Sequence, residues 1–534
     1  MPTDCISYQN SGYFSPLMND YLNQKKELHS LYNRFPTLEN FEKQIEEKKD
    51  NFNSSDNFKR KVLVDVLEKQ YSKYTASDGT LNNIKLLNNQ DTFTITTGHQ
   101  LNLFSGPLYF LYKIISTINL TKELKAKYPN YNFVPIYWMA TEDHDFEEIN
   151  YFNFNGKKFR WNKESTGPVG RLSTEGLADF LEIYALEIGS STNANTIKKL
   201  FEDSYLKHDN LADATRHLAN ALFGASGLVI LDADDRDLKR SFIPYMKEEL
   251  LNQTSFKAVT ETIEQLKKDY TIQVNPREIN LFYIEDNLRE RIILENGIYK
   301  VNHTKTAFTE AAILDLLETN PEKFSPNVIM RPLYQEVILP NLCYIGGGGE
   351  IAYWLELKSF FAAAKVTFPI LLLRNSVLLA TEKQNKKADK LNLTWSDLFS
   401  KQAALVNRIT QKLSDFPIDF TEQKEALKKQ FEVLLELANH TDKSFLGAVK
   451  AQEVKQIKGL ENLEKRLLVA QKRKFHDELQ RVIELQNELF PNQSLQERQA
   501  NFSEFYLENG ERLIPQLMNQ LNPLEQNFNI ITLY

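Results

Sequence analysis

The sequence contains few thiols: only Cys5 and Cys343 occur in 534 residues. Two cysteines are too few for a disulfide framework or for a zinc site built from thiolates. We therefore expect a reducing compartment and predict a cytoplasmic location. No second histidine or cysteine lies at ligand spacing from the candidate site described below, so we expect no zinc.

A long apolar run and an excess of basic charge are also missing. The first thirty residues contain charged side chains and no apolar block, and the strongest apolar run, 368–380, is interrupted by Arg374. Neither a signal peptide nor a membrane span is expected. Lys and Arg number 64 against 71 Asp and Glu, a formal net charge of −7. Nucleic acid and anionic membrane surfaces are therefore not expected partners.

What the sequence does have is an ordinary globular composition in a long chain. Hydrophobic residues make up 42% and charged residues 25%, which is typical of folded domains. At roughly 150 residues per domain, the chain is expected to form two to four packed units. It can therefore enclose a large site.

Four short apolar runs predict the strands of a parallel α/β sheet. They are 91–97 (DTFTITT), 133–140 (FVPIYWMA), 227–231 (GLVIL) and 368–373 (FPILLL). Each ends in a polar residue or glycine, and helical periodicity follows. After the first strand, Ser105 is the predicted cap of a helix with Pro107 in its first turn. Ligands of open α/β sheets bind beyond the carboxyl ends of strands, so the site is expected there.

The predicted organisation is an α/β catalytic core, a helical arm and a C-terminal return. The core is residues 1–376, the arm 377–490 and the return 491–534. Two stretches of the core, about 147–208 and 248–342, are too long for simple crossovers. We predict that they are insertions that cover or narrow the cleft.

The arm has the pattern of a long helix. Apolar residues recur at spacings of three and four from Val454 to Ala470, and the phase then steps to Phe475. A single helix over 444–489 would be roughly 65 to 70 Å long at 1.5 Å per residue. We predict a coiled coil, either within the chain against 421–438 or between subunits. A helical bundle packed on the core is the alternative, because the heptads are imperfect.

The first candidate motif, TGHQLN, follows the first predicted strand. A glycine between a strand and a helix lets backbone N–H groups face an anion such as phosphate. His99 is a candidate donor to a phosphoryl oxygen. The motif is neither a P-loop nor a full GxGxxG, so an ordinary turn explains it equally well. The candidate nucleotide-binding residues are Thr97, Gly98, Gln100 and Asn102.

The second motif is Glu142, Asp143, His144 and Asp145, directly after the second predicted strand. Three carboxylates beside one imidazole are expected to raise the pKa of His144. In an extended stretch Glu142 and His144 would share one face, and Asp143 and Asp145 the other. Glu142, His144 and Asp145, together with His99, are the candidate catalytic residues. Acid/base catalysis, Mg²⁺ binding and amine recognition all stay open, and helix capping by an aspartate is the structural alternative.

The third motif is the glycine-rich segment 344–354 (YIGGGGEIAYW), with NVIMRPLYQ just upstream. The glycines predict a flexible loop that allows close backbone approach to a ligand. A glutamate at the following helix start would disfavour phosphate, so an amine or hydroxyl is the better expected ligand. The two arginines are candidate clamps for carboxylate or phosphate, with a structural salt bridge as the equal alternative. The candidate substrate-binding residues are Arg331, Gln335, Gly347, Glu350, Trp354 and Arg374.

Four segments in order, TGHQLNLFSGPLYFLYK, VPIYWMATEDHDFEEIN, NVIMRPLYQEVILPNLCYIGGGGEIAYW and SLQERQANF, resemble the bacillithiol biosynthesis cysteine-adding enzymes. The resemblance covers essentially the whole chain. It implies a Rossmann-like core with connecting-peptide insertions similar to those of class I aminoacyl-tRNA synthetases. It also implies a C-terminal coiled coil that forms a homodimer.

The resemblance further implies a ligase that joins the carboxyl of L-cysteine to the amino group of glucosaminyl-malate, the last step of bacillithiol biosynthesis. A carboxylate is a poor electrophile, so activation by ATP or another adenine nucleotide is expected, with Mg²⁺ as a candidate ion. The first motif would hold the phosphates, the second would orient or deprotonate the amine, and the third would bind substrates. A nucleotide-binding dimeric scaffold, or a nucleotidyl- or glycosyltransferase acting on another small substrate, is the alternative function.

Overall fold

The computed structural model describes residues 4–53 and 57–533 and divides into two compact units. The first comprises Met1–Leu379 with Leu495–Tyr534, and the second comprises Ala380–Ser494. The strands are β1 (Asp4–Ser7), β2 (Thr92–His99), β3 (Asn132–Met139), β4 (Tyr151–Phe154), β5 (Lys157–Arg160), β6 (Val229–Asp232), β7 (Leu281–Glu285), β8 (Leu288–Glu295), β9 (Ile298–Val301), β10 (Ala307–Phe308), β11 (Phe324–Pro326), β12 (Asn341–Gly346), β13 (Ile370–Leu373), β14 (Ser376–Thr381) and β15 (Asn527–Leu533).

The centre of the first unit is a five-stranded parallel sheet in the order β13-β12-β2-β3-β6. Every residue of β2 and β12 is buried, as expected of strands covered on both faces. The four predicted strands are confirmed as β2, β3, β6 and β13, with shifted ends. The sequence analysis missed β12, which pairs with both β2 and β13.

One shifted end changes the first motif. β2 continues through Gly98 and His99, which lie opposite Trp138 and Met139 of β3. The first motif therefore begins inside the strand, and Gly98 is not in the turn that was predicted after it. Parallel pairing with β3 extends the strand by two residues.

The predicted cap at Ser105 is wrong. The helix begins at Tyr109, and its N-cap residue, Leu108, makes no side-chain cap hydrogen bond. Phe104, Ser105 and Gly106 have φ values of 47°, 66° and 62°. Three consecutive residues with positive φ cannot continue into a right-handed helix, so the chain first makes a tight left-handed turn.

Helices α3 (Leu38–Asn53) and α6 (Tyr109–Lys127) pack against the sheet. Phe41 from α3 and Leu120 from α6 share a buried cluster with Phe93 of β2 and Ile370 of β13. The helices before the arm are α1 (Tyr8–Ser11), α2 (Pro16–Leu22), α3 (Leu38–Asn53), α4 (Asn57–Tyr71), α5 (Asp78–Leu86), α6 (Tyr109–Lys127), α7 (Phe146–Ile149), α8 (Leu177–Ile188), α9 (Thr192–Phe201), α10 (Leu211–Phe223), α11 (Arg236–Arg240), α12 (Ile243–Asn252), α13 (Thr254–Leu266), α14 (Glu310–Thr319), α15 (Met330–Ile338), α16 (Gly348–Leu355) and α17 (Lys358–Ala363).

Both long connections have their own secondary structure. Residues 147–208 contain the antiparallel hairpin β4-β5 followed by α8 and α9. Residues 248–342 contain a five-stranded sheet in the order β10-β9-β8-β7-β11, with antiparallel neighbours. The strand signal predicted at 280–284 corresponds to β7. The end of this connection belongs to the core, because α15 leads directly into β12.

The second unit is entirely helical apart from the end of β14. Of the two pairings considered for the coiled coil, the one within the chain is observed. Helices α21 (Thr421–Asn439) and α22 (Lys443–Lys474) pack together through Phe431, Ala438 and Val449. The helices are α18 (Glu382–Lys390), α19 (Trp395–Leu398), α20 (Gln402–Leu413), α21 (Thr421–Asn439), α22 (Lys443–Lys474) and α23 (His476–Leu489).

The single helix predicted over 444–489 is wrong, because α22 and α23 are separated at Phe475, where φ is −102° and ψ is 28°. The break coincides with the phase step in the apolar pattern. It lets the two halves bury different faces: α22 packs on α20 and α21, whereas α23 packs on α18 and α20.

The C-terminal segment belongs to the first unit. It consists of α24 (Gln496–Gln499), α25 (Phe502–Asn509), α26 (Leu513–Gln520) and β15, which pairs antiparallel with β1. Asn501 donates to the carbonyls of Phe104 and Gly106 at 2.8 and 2.7 Å, so this segment holds the left-handed turn after β2. Across the described residues, no helix combines the length and apolarity needed to cross a membrane.

Candidate active site

A cavity of about 1020 Å³ lies at the carboxyl edge of the parallel sheet. Each of the five strands contributes a lining residue at or just beyond its carboxyl end: His99, Ala140, Ala233, Gly347 and Arg374. This is the edge at which open α/β sheets bind ligands. The predicted site residues that line the cavity are Gly98, His99, Gln100, Glu142, Arg331, Gly347, Glu350 and Arg374.

Two residues of the first motif, Thr97 and Asn102, do not face the cavity. Thr97 donates through its hydroxyl to the carbonyl of Ile345 at 2.8 Å, which ties β2 to β12. Asn102 donates to the carbonyl of Glu148 at 3.2 Å. Neither lines the cavity, so both are placed to support the site rather than to contact a ligand.

The two residues of the first motif beside His99 face the cavity. A Cβ on Gly98 would lie 3.2 Å from the Tyr344 hydroxyl, so a larger residue here would have to displace that side chain by a few tenths of an ångström. Gln100 donates through Nε2 to Asp143 and Glu148 at 2.9 and 3.0 Å. The first and second motifs therefore meet, as two carboxylates converge on one amide.

The second motif is a turn, not the extended stretch that was predicted. The Asp143 N–H donates to the Ala140 carbonyl at 3.2 Å, which closes the chain after β3. Glu142 and Asp143 line the cavity, whereas His144 and Asp145 do not. The faces predicted from a period of two are therefore wrong. Asp145 occupies the N-cap position of α7 without a side-chain cap hydrogen bond.

Glu142 belongs to a buried network of ion pairs. Lys239 Nζ lies 2.5 Å from Glu142 and 2.9 Å from Asp234, and its side chain is 1% exposed. Burial raises the pKa of Glu142, although the Lys239 ammonium opposes that rise. Lys239 thus favours the ionised form of an acid that has little solvent around it.

The predicted rise in the pKa of His144 is wrong. Burial lowers the pKa of His144, and the Arg289 guanidinium lowers it further, against the opposite pull of Asp143 and Asp145. Arg289 Nη1 lies 2.8 Å from Nδ1 of His144. An arginine can only donate, so Nδ1 accepts and the ring carries its hydrogen on Nε2. His144 is therefore not free to act as a base through Nδ1.

Glu350 is an internal anchor. Its carboxylate is contacted by Lys113 Nζ at 2.5 Å, the Tyr344 hydroxyl at 2.6 Å and the Gly347 N–H at 2.8 Å. Burial alone would raise the pKa of Glu350, but Lys113 and Tyr344 lower it. The expected flexible loop is instead the end of β12 and the start of α16, where Glu350 holds the helix N-terminus.

The two predicted arginine clamps are fixed by protein partners. Arg374 makes a bidentate contact with Glu497 at 2.7 and 3.0 Å, which is the salt-bridge alternative for this residue. Arg331 donates to the Tyr353 hydroxyl at 3.1 Å and to Gln335 at 3.2 Å. Gln335 is buried and does not line the cavity. Trp354 is buried too and stacks on Tyr344, with ring centroids 4.6 Å apart.

Several charged residues of the cavity were missed by the sequence analysis. Lys113, in α6, donates to the Gly98 carbonyl at 2.6 Å. Arg289 and Arg291 project from β8, and their spacing of two on a strand is a signal that could have been used. The other missed cations of the lining are Arg277 and Arg498.

Three of these arginines are available to a ligand. Arg277, Arg291 and Arg498 make no ion pair with any residue the structure describes. The lining contains seven Lys and Arg side chains against four Asp and Glu, in a chain whose net charge is −7. The cavity is thus a cationic site in an acidic protein, which favours anionic ligands. Within residues 4–53 and 57–533, no group of three or more His, Cys, Asp or Glu side chains is placed to hold a metal ion.

A Rossmann-like sheet with a large charged cavity at its carboxyl edge defines an α/β enzyme of small polar substrates. The chain belongs to the bacillithiol biosynthesis BshC family. The family model for the "N-terminal Rossmann-like domain" matches residues 1–375, and the one for the "C-terminal coiled-coil domain" matches 377–533.

Similar curated proteins extend along the whole chain. A protein of Flavobacterium johnsoniae is 76% identical over 100% of both chains, and one of Flavobacterium psychrophilum is 66% identical over 99% of both. Both are named "Putative cysteine ligase BshC". A solved structure of Mycobacterium tuberculosis methionyl-tRNA synthetase with methionyl-adenylate is 13% identical over 80% of this chain and 91% of that one, with a TM-score of 0.22. That likeness is too distant to bear on the fold or the reaction.

Proposed function

We propose that this chain is a cytoplasmic ligase that joins the carboxyl of L-cysteine to the amino group of glucosaminyl-malate. The observation that carries the proposal is the set of unpaired arginines facing the cavity. Glucosaminyl-malate has two carboxylates, and cysteine has one, so all the substrates are anionic at one end. The family and the names of its curated members support the same reaction.

Arg277, Arg291 and Arg498 would bind the substrate carboxylates. Guanidinium groups suit this role because they bind carboxylates through two parallel hydrogen bonds. Arg289 stays with its partners: it donates to the hydroxyl of Ser325 at 3.1 Å and lies over the ring of Phe282. It therefore stiffens the strand that presents Arg291 to the cavity.

The acidic side of the cavity would receive the amine. Asp143 and Glu148 converge on Gln100, and both line the cavity. Carboxylates attract an ammonium group as it enters from solvent. Opposite charges on the two sides of one cavity would orient a substrate that has an amine at one end and a dicarboxylate at the other.

We propose ATP, or another adenine nucleotide, as the activating co-substrate. The cavity fits such a group because its lining is rich in cations that can bind phosphate. A nucleotide supplies a leaving group to a carboxylate that is otherwise a poor electrophile. Mg²⁺ would enter with the nucleotide, because it usually binds one or two carboxylates together with substrate phosphates; Asp143 would provide one, which leaves Glu148 for the amine. The chain's own residues bind and orient the reactants and exclude water.

We also propose that two copies associate through the arm. The α21–α22 pair buries only a small cluster and leaves large apolar side chains in solvent. Exposed apolar residues on these two helices are Val433, Leu434, Leu437, Phe445, Val454, Leu463 and Val469. Large apolar side chains in solvent favour association, and a second copy would cover those on one face of this pair.

The reaction itself is the first test. Purified protein, ATP, cysteine and glucosaminyl-malate are incubated, and the products are identified by mass spectrometry. We expect bacillithiol, together with the products of nucleotide cleavage. Protein that binds the substrates but leaves them unchanged would support the scaffold alternative.

Gene deletion provides the matched test in cells. The deletion strain is expected to lack bacillithiol and to accumulate glucosaminyl-malate. Complementation with Arg291→Gln should fail, whereas Lys300→Gln, an exposed change on the neighbouring strand with a partner in Glu295, should succeed. Unchanged thiol pools in the deletion strain would contradict the proposal.

A further inference from the structure

His99 has an unusual environment for a histidine that faces a cavity. Its side chain is almost fully buried, with 7% exposure, and its ring packs against Tyr109 and Phe110 at centroid distances of 5.4 and 5.0 Å. Its Nε2 is buried and has no hydrogen-bond partner. A buried polar atom without a partner is costly, and the cavity is where a partner can arrive.

The other ring nitrogen is occupied. The backbone of Ser105 hydrogen-bonds the His99 ring and favours its protonated form, so the Ser105 group must be the carbonyl, which accepts. Because Nε2 has no partner, the nitrogen that donates is Nδ1. A neutral imidazole carries one hydrogen. With that hydrogen on Nδ1, Nε2 presents a lone pair to the cavity.

The ring is held neutral by its surroundings. Burial lowers the pKa of His99 well below its ordinary value, and the positive charges of Lys113 and Arg374 lower it further. Lys113 is also paired with Glu350, and Arg374 is paired with Glu497. The same two cations would disfavour a second cation at Nε2, including a bound ammonium.

The left-handed turn after β2 fixes this arrangement. Ser105 lies in that turn with φ of 66°, a conformation that L-residues keep only when the surroundings impose it. The Tyr205 hydroxyl accepts from the Phe104 N–H at 2.8 Å, and Asn501 donates to the carbonyls on either side of Ser105. The turn that contains the Ser105 carbonyl is therefore held in place from two sides, by Tyr205 and by Asn501.

Each carboxylate of the cavity already contacts a donor of the protein. Glu142 forms an ion pair with Lys239, and Glu350 forms one with Lys113. Asp143 and Glu148 both accept hydrogen bonds from the side-chain amide of Gln100. Among the buried side-chain acceptor atoms of the described lining, Nε2 of His99 is the one with neither a hydrogen bond nor an ion pair. It is thus the atom best placed to accept a hydrogen bond from a ligand.

From this geometry we infer that Nε2 of His99 accepts a hydrogen bond from the neutral amine of the acceptor substrate, and that it does not donate to a nucleotide phosphate. The inference rests on the proposed amide-forming reaction for the identity of the amine. The sequence motif suggested that His99 donates to a phosphoryl oxygen, so the inferred role, as an acceptor, is the reverse. The neutral amine is the nucleophilic form, so His99 and its cationic neighbours select the species that can attack the activated carboxyl.

The tautomer can be measured without turnover. The full-length protein is labelled with ¹⁵N at its eight histidines, and His99→Gln identifies the resonances of His99. We expect Nδ1 to carry the hydrogen, Nε2 to carry none, and the ring to be neutral at pH 7 and to need a lower pH for protonation than an ordinary histidine, because burial lowers its pKa. A hydrogen on Nε2, or a charged ring at pH 7, would overturn the inference whether or not the protein makes the product.

Ligand addition separates the two roles. Glucosaminyl-malate is expected to shift the Nε2 resonance while the ring stays neutral, and malate, which lacks the amine, is expected to leave it in place. Inorganic phosphate is expected to cause no shift. Protonation of Nε2 on addition of phosphate would instead establish the donor role.

Two substitutions at the same position provide a kinetic comparison. His99→Gln keeps an acceptor oxygen, whereas His99→Leu has none. We expect His99→Leu to raise KM for glucosaminyl-malate about 10-fold or more, the loss of one hydrogen bond to a buried group, with KM for ATP unchanged and His99→Gln less affected. A larger effect on KM for ATP, or equal effects of both substitutions, would contradict the inference.

Discussion

The cavity region and the helical arm differ in which side chains they expose to solvent. Around the cavity, ion pairs are buried: Lys239 is 1% exposed, and Arg374 and Glu497 are 4% and 1% exposed. In the arm, Lys424 and Glu464 are 23% and 25% exposed. Large apolar side chains show the reverse, since they fill the strands of the core and lie in solvent on the arm.

The difference indicates how the charged and apolar side chains of each region affect the free energy of unfolding. A buried ion pair costs several kcal/mol in lost hydration and is a poor way to stabilise a fold, so the pairs at the cavity are explained by what they position. Exposed apolar side chains add little to the stability of a single chain and favour association. The comparison therefore agrees with the proposal that the cavity binds ligands and that two copies associate through the arm.

The largest expected effect comes from removing a buried cation. Lys239→Met leaves Glu142 and Asp234 buried with one fewer partner, and breaking a buried pair in this way typically costs about 3–5 kcal/mol. Urea unfolding of the variant should show that loss, together with loss of ligase activity. Lys323→Met, which breaks a partly exposed pair with Glu285, is the control and should cost less than about 1 kcal/mol. Equal losses would remove the contrast between buried and exposed pairs.

A smaller effect is expected from Glu356, a buried acid of the first unit. Its carboxylate accepts from the Gln273 N–H at 2.8 Å, and burial raises the pKa of Glu356 to about 7. Because the folded state binds this proton more tightly than the unfolded state, the associated stability is present below about pH 4.5 and is lost as the pH rises through 7. Glu356→Gln should therefore be more stable than the wild type at pH 8, by about 3 kcal/mol, and nearly equal to it at pH 4.5.

The measurement for this prediction is urea unfolding at both pH values. Glu285→Gln is the matched control, since hydrogen bonds from Tyr283 and Lys323 lower the pKa of Glu285. That substitution should destabilise the protein at pH 8 or leave it unchanged. A Glu356→Gln variant whose stability relative to the wild type is independent of pH would show that burial does not hold this proton.

A still smaller effect is expected for the arm's own ion pair. Lys424→Met removes the contact with Glu464 at 2.5 Å. Both side chains reach solvent, so the free energy of unfolding should fall far less than it does in Lys239→Met. Thermal unfolding in low and high salt checks this, because an exposed pair is screened by salt. A loss as large as that of Lys239→Met would contradict the comparison.

The smallest effect on stability, with a large effect on assembly, is expected on the exposed face of α21. Val433 and Leu437 are 60% and 61% exposed, so Val433→Lys with Leu437→Lys should change the free energy of unfolding of a single chain by only about 0.5 kcal/mol. Light scattering should show monomers if two copies meet through this face. Glu436→Lys, on the same helix, tests whether added charge alone separates the copies. A double variant that keeps the mass of a dimer would reject the interface.

The sequence predicted the frame of the fold because periodicity is a local signal. β2, β3, β6 and β13 were recognisable as apolar runs that end in polar residues or glycine, and the clusters after them meet in one cavity. The missed strand, β12, is apolar too, but the glycines that follow it resemble a loop. Its position at the centre of the sheet depends on pairing with strands far away in sequence.

The chemistry of the site was less predictable because it depends on long-range contacts. Burial and then Arg289, which is 145 residues away in the chain, lower the pKa of His144, whereas its sequence neighbours predicted a rise. Arg374 was visible at the end of a strand, but its partner Glu497 is not adjacent in sequence. The left-handed turn at Ser105 is likewise imposed by distant elements, so a cap was the natural but wrong expectation.

The most direct test of the account is the affinity for glucosaminyl-malate, measured by titration calorimetry in the wild type and in Arg291→Gln. If the cationic lining binds the malate carboxylates, the substitution should weaken binding about 10- to 100-fold, as expected for loss of a charged hydrogen bond of 1.5–3 kcal/mol. Binding of glucosamine, which lacks the carboxylates, should not change. Equal affinity of both proteins for glucosaminyl-malate would contradict the assignment of this cavity as the substrate site.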